Sequence, residues 1–195
     1  MKGRKKVELP IVSFDSAEQW ESWLAKNYNR SPGVWLCLQK KKSNKKSLTY
    51  AEALDVALCY GWIDGQKQAY DENSWLQKFT LRRTKSNWSK NNTAHVDRLI
   101  RSGKMKPPGL AEVEAAKKDG RWKSAYGPAS TATIPQDFLK ALRLDKGALE
   151  FFNSLDRINR YSIVYRLQTA KKTETREKRM KTILEMMSKG RKFHE

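Results

Sequence analysis

Apolar residues recur along this chain with two periods, and the switches between them mark out its elements. Trp20, Trp23, Leu24 and Tyr28 repeat three and four apart behind Phe14-Asp15-Ser16-Ala17-Glu18. Asp15 there offers an N-cap with Glu18 three residues on, which predicts an amphipathic helix. After the turn Ser31-Pro32-Gly33, Val34, Leu36 and Leu38 alternate and share one face of a strand. Thr49-Tyr50-Ala51-Glu52 forms a second capping box ahead of Ala53, Leu54, Ala57 and Leu58, and Gly61 is placed to end that helix. Residues 62–70 and 75–82 both read as extended around the polar cluster Asp71-Glu72-Asn73-Ser74, so an antiparallel pair and a small mixed sheet follow. Ser89 can cap a helix carrying Val96, Leu99 and Ile100. Gly103 and Pro107-Pro108-Gly109 stop it before a short helix over 110–118 that ends near Gly120.

The texture changes at Tyr126-Gly127-Pro128-Ala129-Ser130-Thr131-Ala132-Thr133-Ile134-Pro135, a small, polar, turn-rich run. Everything after it reads as helix. Pro135 suits the first turn of a helix reaching Leu144. Asp145 can cap one holding Leu149, Phe152 and Leu155, and Asp156 another with Ile158, Tyr161 and Tyr165. A last helix from Thr173 sets Met180, Ile183, Leu184 and Met187 on one stripe. The expected fold is α+β: an N-terminal domain over 1–126 with a small, mostly antiparallel sheet and packed helices, a linker over 127–133, and an all-helical C-terminal module over 134–195.

Composition supports a folded chain, since 38% of the 195 residues are hydrophobic and seven are Trp, enough to offset the entropy of ordering. Charge changes the picture more. Forty Lys and Arg against 21 acidic residues give a formal +19 and an isoelectric point near 10.0. Such a field attracts nucleic acid, anionic membrane or phosphorylated metabolites without choosing among them. Met1-Lys2-Gly3-Arg4-Lys5-Lys6 starts like a signal peptide, but Val7-Glu8-Leu9-Pro10 brings no apolar run, and the apolar stretch 53–63 is too short to span a bilayer. A cytoplasmic protein is expected. Cys37, Cys59, His95 and His194 lack metal-ligand spacing, so neither metal nor cofactor is expected, and the cysteines read as reduced and buried.

Several segments carry a resemblance. Ala57-Leu58-Cys59-Tyr60-Gly61-Trp62-Ile63-Asp64-Gly65-Gln66 resembles the central signature of the YdeI/OmpD-associated family. The likeness continues through Phe79, Arg82-Arg83-Thr84-Lys85-Ser86-Asn87-Trp88-Ser89-Lys90-Asn91-Asn92 and Leu99-Ile100-Arg101-Ser102-Gly103-Lys104-Met105. It resumes at Asp119-Gly120-Arg121-Trp122 and Ala170-Lys171-Lys172-Thr173-Glu174-Thr175-Arg176. The resemblance implies a bacterial family linked by name to protection against bacteriocins or antimicrobial peptides and to an outer-membrane porin. It implies no agreed catalytic mechanism.

Candidate chemistry gathers near the middle of the chain. Arg82 and Arg83 end a predicted strand, and Ser86, Trp88, Ser89 and Asn92 lead into a helix. Forked guanidiniums facing unpaired helix N–H groups suit phosphate or carboxylate. Equally, Arg82 or Arg83 pairs with Asp64 while Ser89 merely caps. Asp64-Gly65 reads as a ligand-binding carboxylate or, more simply, as a tight turn, and nearby Asp71 and Glu72 have no catalytic spacing. The expected ligand set is Asp64, Arg82, Arg83, Ser86, Trp88, Ser89 and Asn92, with no catalytic residue. Trp62 and Trp75 are expected in the core, with Trp88 either core or stacking platform. Lys40, Lys41, Lys42, Lys45, Lys46, Lys171 and Lys172 can follow a phosphate backbone, or form a solvated face with acidic partners such as Glu174 and Lys178, or Glu177 and Lys181. No zinc finger, aromatic RNA-binding signature or clear helix-turn-helix accompanies them. The expectation is a non-catalytic, anion-binding stress or bacteriocin-protection protein whose partner is a phosphate-bearing small molecule or nucleic acid. The alternatives are a sequence-nonspecific nucleic-acid binder and an enzyme acting on a phosphorylated or carboxylated small molecule.

Overall fold

Aromatic side chains of α1 (Ala17–Asn27) organise the first half of the chain in the computed structural model, which describes residues 8–43 and 47–195. The helix is capped by Ser16, whose hydroxyl accepts from Gln19 N, while the Gln19 side chain takes the Asp15 N–H at 2.9 Å. The cap expected at Asp15 is therefore displaced by one residue, because Ser16 holds the extended backbone a cap needs. Trp20 is fully buried against Trp62 and Phe79, and its indole N–H donates to Ala53 O at 3.1 Å. A buried indole with its one donor satisfied adds apolar area without an unpaired polar group.

The four-stranded sheet runs in the order β1-β2-β4-β3, built from β1 (Ile11–Val12), β2 (Val34–Gln39), β3 (Trp62–Ala69) and β4 (Ser74–Leu81). β2 and β4 pair antiparallel, as do β3 and β4, whereas β1 joins β2 in parallel, so the sheet is mixed. Val34, Leu36 and Leu38 are buried, as their alternation predicts. α2 (Tyr50–Cys59) begins at Thr49 with both halves of the capping box formed with Glu52. The tight-turn reading of Asp64-Gly65 is corrected: both lie within β3, where the register shifts between Asp64 and Lys67. The buried Gln77 amide donates there to Gly65 O and Gln66 O, satisfying carbonyls near the irregularity. The chain reverses instead at Asp71, whose carboxylate accepts from Asn73 N, Ser74 N and the Ser74 hydroxyl.

After the sheet come α3 (Lys90–Arg101) and α4 (Pro107–Lys118). Pro107 and Pro108 open α4 rather than standing ahead of it, since the first turn has no use for their missing N–H groups. A Cβ on Gly109 would fall 2.3 Å from Cys59 O, so the start of α4 rests on the carbonyl end of α2 through a residue without a side chain.

The chain divides into two compact units: one spans the chain to Ser86 together with Asn92–Lys123, the other comprises Asn87–Asn91 and Ser124–Glu195. In the second, Tyr126 N donates to Trp88 O and Lys90 N to Tyr126 O, and Trp88 is only 2% exposed. Its helices are α5 (Gln136–Leu142), α6 (Lys146–Ser154), α7 (Arg157–Gln168) and α8 (Thr173–Ser188). They enclose Phe138, Leu142, Phe152, Ile163, Ile183 and Met187. Asp145 and Asp156 cap α6 and α7 through Ala148 N and Asn159 N. The buried Asn159 amide then clamps residues 193 and 194, accepting from both backbone N–H groups and donating to His194 O. The fold is α+β, a small mixed sheet with packed helices followed along the chain by a region that is helical throughout.

Candidate functional site

Arg82 leaves β4 with its backbone N–H on Gly61 O and its side chain 4% exposed, and Nη1 donates to the Ser86 hydroxyl at 3.3 Å. Between them the chain turns through Arg83-Thr84-Lys85, closed by Ser86 N on Arg83 O. Lys85 sits at φ 64, a left-handed position that ordinarily favours glycine. From the far side arrives Arg121, also 4% exposed, reached through Gly120 at φ 77. Its Nε lies 2.9 and 2.7 Å from the two Asp119 oxygens, and Nη1 donates to Ser86 O at 3.0 Å. Two buried guanidiniums thus grip one serine, on its hydroxyl and on its carbonyl. Arg83 and Lys85 stand exposed on the turn so held.

The other expected ligand residues lie on other elements or segments of the chain. Asp64 accepts from the Tyr50 hydroxyl at 2.8 Å. Burial, then the Asp64 charge and hydrogen bond, push the Tyr50 phenol above its ordinary pKa, so it stays a neutral donor. Asn92 lies half-buried on α3, while Trp88 and Ser89 belong to the second unit. Trp62 is wholly buried, as expected of a core residue. Trp75, expected in the core as well, is half-buried beside the Tyr50 ring, with the Lys67 ammonium 4.4 Å from its centroid. Among the basic residues, Lys40 folds onto Asp71 O and Glu72 O at 2.7 and 3.2 Å. Lys41, Lys42, Lys171 and Lys172 are exposed, and Lys45 and Lys46 lie outside the described residues. Among the described residues, the ion pair made by α8 joins Arg176 to Asp137.

Arg121 entered the sequence reading only through the resemblance. A guanidinium 35 positions from its serine leaves no local pattern. The cluster around Asp55 was missed altogether. Asp55 lies 2.7 Å from His95 Nδ1 and accepts from Arg98 Nη2 at 2.7 and 2.6 Å. A carboxylate that close requires the imidazole proton on Nδ1, leaving Nε2 as the acceptor of the neutral ring. Burial works against the Asp55 charge, yet the hydrogen bonds from Arg98 and His95 hold its carboxyl below the usual range. The i, i+3 spacing of His95 and Arg98 was the available signal, but nothing in it points to Asp55 on α2. Beside them a cavity of about 350 Å³ is bordered by Glu18, Glu21, Asp55, Cys59 and Lys106. Burial, then Glu21 and Asp55, push the Cys59 thiol to about 11, so it is protonated and unreactive near neutrality. Ser162 faces His194 Nε2 at 2.9 Å in an exposed setting on α7. Among the described residues no group of three His, Cys, Asp or Glu can hold a metal, and no helix is long and apolar enough to cross a membrane.

Fold and site together define a basic α+β protein that presents cationic side chains on a turn fixed by two buried arginines. The chain belongs to the family described as a domain of unknown function, DUF8412, whose profile matches residues 12–112, just over half of its length. Residues 131–190 match a second profile, OmdA, described as bacteriocin-protection, YdeI or OmpD-associated, in agreement with the resemblance. Of the segments that carried that resemblance, 170–176 lies inside the second match, those from Ala57 to Met105 lie inside the first, and 119–122 falls in neither. No curated protein and no solved structure matches the chain.

Proposed function

We propose that this chain is a non-catalytic, anion-binding protein serving stress or bacteriocin and antimicrobial-peptide protection, and that a phosphate-like anion binds at the Ser86 turn. The observation that carries the reading is the pairing of Arg82 and Arg121 on Ser86 while exposed Arg83 and Lys85 occupy the same turn. In this reading the buried pair positions the turn and the exposed pair meets the ligand. A lysine at a positive φ supports it, because a glycine would relieve the backbone at that position. The formal +19 favours an anionic partner and opposes direct capture of a cationic peptide. Protection would therefore act through an anionic target rather than by sequestering the peptide.

Melting in the presence of phosphate tests this. Saturating phosphate should raise Tm by mass action, and Arg83→Ala or Lys85→Gly should remove the rise. Lys85→Gly relieves the left-handed backbone, so its Tm without phosphate should not fall. A phosphate response equal to the parent's in both variants would place the anion elsewhere. A second reading, sequence-nonspecific nucleic-acid binding, is favoured by the exposed Lys41, Lys42, Lys171 and Lys172, the last of which caps α8 without a side-chain hydrogen bond.

A further inference from the structure

We infer that the second unit carries a separate site for an amphiphilic anion, a single carboxylate or phosphate on a short apolar body, in the groove between residues 129–134 and α7. Arg157, Arg160, Tyr161 and Val164 follow one another at i, i+3, i+4 and i+7 and so share one face of α7. The facing run Ala129-Ser130-Thr131-Ala132 has no bulky side chain to fill the space it borders. What remains is a groove of about 430 Å³, within the range of small-molecule sites, with Ile134, Leu155 and Val164 as apolar wall and two arginines in the lining.

Among the described residues no carboxylate lines the groove, and Asp156 beside it is engaged in capping α7 through the Asn159 backbone and amide. Arg160 is fixed before any ligand arrives: Nη2 donates to Asn153 O and the guanidinium stands 5.6 Å from the Phe152 ring centre. Its Nε is buried with no hydrogen-bond partner among the described residues. Buried N–H groups are nearly always paired, so an unmatched one marks this guanidinium as short of an acceptor. The Tyr161 hydroxyl donates to Gly127 O at 3.2 Å, and burial, then Tyr165, raise its pKa, so the phenol stays neutral and adds no competing charge. Apolar wall, fixed guanidinium and absent acid together select a molecule with one negative head and a hydrocarbon body, as a free acid or as a lipid.

Calorimetry and ¹H–¹⁵N NMR on the full chain separate the elements of this site, with octanoate, octanol and inorganic phosphate as probes. Octanoate should bind saturably and shift residues 129–134 and 157–164, while octanol, lacking the charge, and phosphate, lacking the body, bind at least about tenfold more weakly. Arg160→Gln and the exposed Arg157→Gln should each weaken octanoate by about tenfold or more, as loss of a charge-assisted hydrogen bond predicts. Ala132→Leu keeps both charges and fills the groove, so it should weaken octanoate as well. If Arg160→Gln does not fold, Arg157→Gln and Ala132→Leu decide the matter. Arg83→Ala should leave octanoate binding intact, which separates this site from the Ser86 turn. Phosphatidylglycerol vesicles displaced by octanoate would show a lipid entering the same groove. Vesicle binding without octanoate binding, octanol binding as tightly as octanoate, or unchanged affinity in Arg157→Gln and Ala132→Leu would each overturn the inference.

Discussion

Replacing Gly109 by alanine should destabilise the chain, although alanine is ordinarily the better helix former. Its Cβ would lie 2.3 Å from Cys59 O and 2.7 Å from Leu58 O. Ordinary contacts lie near ~3.5 Å, so α4 must back away by roughly 1 Å or the end of α2 must deform. Both obstructing atoms are backbone carbonyls, which cannot rotate aside as a flexible side chain would. Overpacking of this kind costs about 1–3 kcal/mol, and the propensity gain of ~1 kcal/mol at an interior position shrinks at the first turn. For a chain of this length an overpacking cost of that size corresponds to a fall of roughly 2–12 °C in Tm, less whatever propensity gain remains. Thermal and urea unfolding followed by circular dichroism measure it. Gly147→Ala in α6 is the control, since its Cβ meets only Asp145 Oδ1 at 3.5 Å and should be neutral or stabilising. A Gly109→Ala protein as stable as the parent would mean that α4 does not press its first turn onto the carbonyl end of α2.

Asp55→Asn should cost about 1–2 kcal/mol near neutral pH, because His95 and Arg98 lose a charged acceptor, and half-exposed Arg98 keeps the loss modest. Since the folded chain holds the Asp55 carboxyl below its ordinary value, its contribution is present above about pH 4 and is lost as pH falls through the folded pKa. Parent and variant should therefore converge in acid urea titrations, and a gap that persists there contradicts the cause. Native Cys59, pushed up to about 11, should resist iodoacetamide near pH 8 and react on unfolding, which mass spectrometry of timed samples resolves; rapid native labelling would contradict its burial. For the nucleic-acid reading, affinity should drop by about tenfold or more between ~50 and ~200 mM salt with little sequence preference. Gln at Lys40, Lys41, Lys42, Lys45 and Lys46 should flatten that slope, and strong discrimination between oligonucleotides of equal length would point to a specific pocket instead.

Elements closed by neighbours a few residues apart were legible in the sequence. The alternation of Val34, Leu36 and Leu38, the box at Thr49 and Glu52, the caps at Asp145 and Asp156, and the hairpin around Asp71 all appear where the pattern placed them. Each is settled by backbone groups and side chains within about one turn of each other, so the local code suffices. Cap position by a single residue, Ser16 rather than Asp15, was beyond that code, because both side chains can accept and only the actual backbone angles choose. Two-residue β1 was beyond it too, being too short for any period and set by parallel pairing with β2 more than twenty residues on.

The candidate site divides along the same line. Arg82 and Ser86, four apart across one turn, could be read together from the sequence, and the structure joins them. Asp64 could not be placed, since its partner Tyr50 is on another element and the strand carries it into β3 rather than a turn. Arg121 on Ser86 and His95 on Asp55 join residues 35 and 40 positions apart. Such pairs depend on which faces of two helices or loops meet once the core has formed. Burial of large apolar side chains sets that meeting, while the polar groups themselves contribute little net energy and so leave no periodic trace in the chain. The sequence by itself determined the order and apolar faces of the helices and longer strands and most of their caps, and only tertiary packing decided which distant polar side chains share a corner.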